Sequence, residues 1–130
     1  MNWKKLLKAI ASSSHCNRRK VGCIISKEGR IISTGYNGMP KGFLNPCEED
    51  NITKQEVIHA EANAILFSAK HGVSTKGATL YVTTAPCIEC SKMIIQSGIA
   101  EVIYQDKYNN TTGIDLLRKA GIVVRNISND

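Results

Sequence analysis

Two short stretches carry residues able to do chemistry. In "VIHAEANAI" (57–65), His59 and Glu61 stand two apart within a run that otherwise reads as buried helix. Taken alone, they read as a satisfied core histidine and a solvated glutamate. In "APCIECS" (85–91), Cys87 and Cys90 form a Cys-x-x-Cys pair at the expected start of a helix. There the free N–H groups and the helix dipole favour thiolates. Alone, this pair also admits a redox dithiol as the lesser reading. Together the two stretches offer one imidazole and two thiolates. Three protein ligands describe an open zinc site that keeps a position for water, whereas a structural zinc takes four. A neutral histidine with two thiolates balances Zn²⁺, and water held there ionises near neutral pH. Glu61 then has a purpose: a carboxylate beside that water, not ligating the metal, can take up a proton and deliver it to a leaving group.

These residues need elements to hold them. Residues 2–14 fit an amphipathic helix. Residues 21–26 and 30–37 read as strands joined by the tight turn "KEG", a hairpin. Residues 38–51, rich in Gly, Pro and acids, read as an irregular loop of functional length. A helix is expected over 54–72 with Gly72 at its C-terminal end, a strand over 78–85, and a helix over 86–98 with Pro86 in its first turn. A strand over 100–106, a short helix over 112–121 and a last strand over 122–126 complete the pattern. Strand–helix alternation after the hairpin predicts an α/β fold. It is a three-layer α/β/α arrangement around a central five-stranded mixed sheet, parallel in its second half, and residues 1–130 form a single domain.

Composition is ordinary for a soluble globular chain, with 42% hydrophobic and 22% charged residues. No apolar run nears the roughly 20 residues that span a bilayer. The basic start lacks a continuous apolar stretch, so a cytoplasmic protein is expected. The formal charge of +6 is uneven: residues 1–30 hold eight Lys/Arg against Glu28 alone. That bias suits an anionic partner. The densest cluster, "NRRK", offers Arg18, Arg19 and Lys20 as phosphate candidates, for a substrate or an effector. Lys4, Lys5 and Lys8 read as a solvated helix face. Five cysteines without a secretory signal argue against a disulfide framework and for metal ligands or buried thiols. Cys23, inside a strand, reads as a small buried residue.

His-x-Glu with Pro-Cys-x-x-Cys is the zinc-deaminase signature. The chain resembles the cytidine and deoxycytidylate deaminase superfamily over nearly its whole length, through "HAEANAI" and "TTAPCIECSKMII". "CNRRKVGCIISKEGRIISTGYNGMPKG" and "DKYNNTTGIDLLRKAGIVV" are similar to its deoxycytidylate branch, phage members included. The resemblance implies hydrolytic deamination of dCMP to dUMP with release of ammonia, supplying dUMP for thymidylate synthesis. It implies Zn²⁺ held by His59, Cys87 and Cys90, and Glu61 as proton shuttle. It further implies Ala60 N–H on the ring carbonyl, the Thr84 backbone on the amino group, Asn37 on the deoxyribose hydroxyl, and Tyr108 packed on the base. Tyr108 is otherwise a surface aromatic. Members of that branch are often hexamers with dCTP (with Mg²⁺) as activator and dTTP as inhibitor, and the resemblance implies a homo-oligomer with such effectors here. Some members carry a second, structural zinc, to which Cys16 and Cys47, with His15 nearby, would correspond; Val57 supplies no ligand there. The competing readings are a deaminase of cytidine, guanine or tRNA adenosine, and a non-catalytic zinc module that binds nucleic acid. The nucleotide-like loops speak against the former, and Glu61 against the latter.

Overall fold

The computed structural model describes residues 1–127. Its elements are α1 (Trp3–Ala11), β1 (Gly22–Lys27), β2 (Arg30–Tyr36), β3 (Glu48–Glu49), β4 (Ile52–Thr53), α2 (Ala60–Lys70), β5 (Thr79–Thr84), α3 (Ile88–Gln96), β6 (Glu101–Asp106), α4 (Thr112–Lys119) and β7 (Val123–Asn126). The main sheet runs β2-β1-β5-β6-β7. β1 is antiparallel to both β2 and β5, while β5, β6 and β7 are parallel. The five-stranded mixed sheet, parallel in its second half, is as expected. Among the described residues no helix is long and apolar enough to cross a membrane.

The β1–β2 turn uses Glu28 (φ 53°) and Gly29 (φ 76°). Two consecutive left-handed residues make the kind of two-residue hairpin turn whose twist matches the strands. Alternating residues of the strands then feed two cores. On one face Leu7 of α1 packs with Ile24 and Ile103, and Trp3 stacks on Tyr81 with ring centroids 4.1 Å apart. The opposite face carries the larger core, where Cys23, Leu80, Val82 and Val102 meet Ala60 and Ala64 of α2, Ile94 of α3, and Leu117 of α4. Cys23 is fully buried, as read.

Two expectations change. The helix read over 54–72 begins only at Ala60. Ile58 instead exchanges both backbone hydrogen bonds with Gly38, at 2.8 and 3.1 Å, and this bridge holds the chain extended up to His59. The stretch read as a loop ends in a second small hairpin, β3–β4. It turns through Asp50 (φ 53°) and Asn51 (φ 64°), residue types that tolerate this conformation well.

Candidate metal centre and substrate pocket

His59 and Cys87 occupy equivalent positions. Each is the cap residue, in extended conformation, immediately before a helix: His59 before α2 (φ −69°, ψ 153°) and Cys87 before α3 (φ −73°, ψ 172°). Cys87 Sγ turns back over the first turn of α3 and accepts from Cys90 N–H at 3.5 Å, and that turn brings Cys90 round beside it. His59 Nδ1 lies 3.3 Å from Cys90 Sγ and 3.6 Å from Cys87 Sγ. Tetrahedral zinc with Zn–S near 2.3 Å and Zn–N near 2.0–2.1 Å needs N···S separations of about 3.5 Å. The donor set therefore fits a zinc ion, and among the described residues this group of metal-capable side chains has three members.

Hydrogen bonds couple the members of the set. Hydrogen bonds from Cys90 and His59 hold the Cys87 thiol far below its ordinary value. The same Cys87 contact, together with burial, pushes Cys90 up. The hydrogen bond to Cys87 raises His59. Glu61, in the first turn of α2, is 4% exposed, and burial pushes its carboxyl up to about 7.

Above these groups opens a cavity of about 410 Å³. It sits at the carboxyl end of β5, beside antiparallel β1, the kind of strand-order break where α/β sheets bind ligands. Ala60, Thr84 and Tyr108 all line it, with Tyr108 at 42% exposure on the rim. Asn37 lines it too and organises its edge. Its Oδ1 accepts from Val21 N–H (2.8 Å), its Nδ2 donates to the Arg19 carbonyl (2.8 Å), and its own carbonyl accepts from Ser14 Oγ (2.8 Å). A second amide hydrogen and a second lone pair remain for a ligand. Of the basic cluster, Arg18 and Arg19 line the cavity. Lys20 turns elsewhere and donates to the Ser14 carbonyl at 2.5 Å.

Cys16 and Cys47, expected as thiols or zinc ligands, are joined in a disulfide. It ties residue 16, on the pocket wall, to the foot of the β3–β4 hairpin. The acidic neighbour of this pair is Glu48, and His15 is not part of the group. Three other contributors carry no motif. Glu48 and Thr53 line the pocket from the small hairpin. Gly113 of α4 packs on the Pro86–Cys87 backbone so tightly that a Cβ there would collide with the Pro86 carbonyl oxygen. Only the glycine in "TTGIDLL", placed where a helix should start, hinted at the last.

The fold and the His59–Cys87–Cys90 donor set are of a kind that suits an enzyme working through a bound zinc ion. The family description "cytidine and deoxycytidylate deaminase zinc-binding region" matches residues 2–106, and the chain belongs to that family. It is 36% identical to the deoxycytidylate deaminase of Enterobacteria phage T4, over 91% of this chain and 84% of the relative. It is 40% identical to that of Saccharomyces cerevisiae, over 95% of this chain but only 43% of the longer yeast protein. Among solved structures, the dCMP deaminase of cyanophage S-TIM5, determined with dCMP and dUMP, superposes with a TM-score of 0.93. The two are 42% identical across 96% of this chain and 93% of that one.

Proposed function

We propose that the chain is an enzyme that hydrolyses dCMP to dUMP and ammonia in the cytoplasm. The observation that carries the proposal is the floor of the pocket. A nine-tenths-buried carboxyl lies beside a three-donor set spaced for zinc, inside a cavity with two arginines on its wall. The likeness to a deaminase solved with dCMP and dUMP supports the substrate.

His59, Cys87 and Cys90 would hold Zn²⁺, which when bound supplies a Lewis acid that eases ionisation of a water. Glu61 takes the proton of the attacking water and passes it to N3 of the ring as oxygen adds at C4. It then carries a second proton to the amino group as the C4–N bond breaks, so that water is consumed and ammonia leaves. Ala60 N–H faces the ring carbonyl and the Thr84 backbone accepts from the amino group. Tyr108 covers the base, Asn37 takes the deoxyribose hydroxyl, and Arg18 and Arg19 meet the phosphate.

The test is a substrate panel. Zinc-loaded protein is incubated with dCMP, dCTP, deoxycytidine and CMP while loss of cytosine absorbance is followed. Selective consumption of dCMP is expected. Preference for an unphosphorylated nucleoside, or no turnover of the four, would overturn the reading.

A further inference from the structure

Glu48 has a position that the deamination chemistry does not use. Its Oε2 accepts from two consecutive backbone N–H groups, those of Asn17 and Arg18, each at 3.1 Å, and its Oε1 from Asn17 again at 3.2 Å. Successive N–H groups converging on one anion form a nest, a concavity suited to phosphate as well as carboxylate. This nest belongs to the same basic segment as Arg18 and Arg19, and Glu48 lines the pocket with both of them. The hairpin that delivers Glu48 pairs with no other strand. It reaches the segment through three links that converge on residues 16–18: the Cys16–Cys47 disulfide, the Glu48 bonds, and Arg18 Nη1 donating to Thr53 Oγ1 at 3.3 Å. The protein has thus placed its own carboxylate in an anion site beside two arginines at the phosphate end of the pocket.

We propose that Glu48 is a specificity-determining residue that restricts the pocket to nucleoside monophosphates. It fills the Asn17–Arg18 nest and sets a negative charge where a second phosphate would extend. The arginines remain for one phosphate, while a β-phosphate finds its N–H donors taken and a like charge facing it. Repulsion of a wrong ligand by a fixed charge is a common route to discrimination. The inference rests on the dCMP reading above.

The test compares dCMP with dCDP as substrates of the wild type, Glu48→Gln and Glu48→Asp, each zinc-loaded. The quantity read is the ratio of kcat/KM for dCDP to that for dCMP, so a general loss of activity in a variant cancels. Removing one like charge should raise this ratio at least ~10-fold in Glu48→Gln, whose amide oxygen can still accept from the nest. Glu48→Asp, which keeps the charge, should stay near the wild-type ratio. An unchanged ratio in Glu48→Gln, or an equal rise in Glu48→Asp, would overturn the proposal. The wild type alone gives a second test. Pyrophosphate should compete with dCMP no better than phosphate despite its greater charge, and markedly tighter inhibition by pyrophosphate would contradict the filled nest. Absence of dCMP turnover by the wild type would sink the deaminase reading and this inference together. Turnover with an unmoved ratio would sink this inference alone.

Discussion

The floor and the mouth of the pocket are built in different ways. The floor hangs on two helix starts packed against the larger core. His59 and Glu61 bracket the first residue of α2, and Cys87 and Cys90 bracket the first turn of α3. Helix geometry sets the spacing within each pair, and packing sets the distance between them. At the mouth, residues 14–21, Asn37 and the β3–β4 hairpin belong to no common element. The Cys16–Cys47 disulfide and side chains bonded to backbone hold them together across sequence separations of 16 to 31 residues. A floor of this kind is rigid and suits bond-breaking, which tolerates little misplacement. A mouth stitched from side chains can be retuned one residue at a time, which suits selection of a substrate.

On that contrast, damage to the floor should fall on turnover and metal, and damage to the mouth on affinity. The largest effect is expected from Glu61→Gln. Loss of a positioned proton carrier should cut kcat for dCMP by about 10²–10⁴-fold. Metal analysis should still find one zinc per chain, because Glu61 is not in the donor set. Loss of zinc along with activity would merge two roles that the floor keeps apart.

Gly113→Ala comes next. The added methyl group meets the backbone of Pro86 and Cys87, with the Cys87 carbonyl carbon at 2.8 Å. Overpacking of this kind costs about 1–3 kcal/mol. Thermal unfolding should move down by several degrees, and a zinc competition titration should show weaker metal binding, since the displaced turn carries a ligand. Unchanged zinc affinity would show that α4 does not brace the floor.

The smallest of the three is Asn37→Ala. It leaves the Val21 N–H and the Arg19 carbonyl without their side-chain partner, a loss of about 1–3 kcal/mol for a buried group and nearer the lower figure at this partly open edge. Steady-state kinetics should show KM for dCMP rising about tenfold with kcat little changed. A fall in kcat at constant KM would make Asn37 part of the chemistry and erase the distinction between the two regions.

The same contrast explains what could be read from the sequence. His59, Glu61, Cys87 and Cys90 were legible because each pair lies within one helical turn, where residue type and spacing carry the geometry. The sheet was legible because strand and helix periods alternate and the "KEG" turn has the glycine that a left-handed residue favours. The start of α2 was not. Ile58 lies in a stretch with helical character, and a backbone bridge to Gly38, twenty residues earlier in the chain, overrides it. Glu48 read as one acid of an acidic loop, because its partners are backbone N–H groups and carry no side-chain signal. Residues 16 and 47 were legible as a pair of cysteines, but their direct bond depends on how the small hairpin folds back.

The most direct test of the central claim is a mass balance on dCMP with protein of measured zinc content. dUMP and ammonia should appear in equal amounts, at a rate that rises in proportion to bound zinc and levels off at one zinc per chain. Formation of dUMP at a rate independent of zinc, or consumption of dCMP without matching ammonia, would contradict the account.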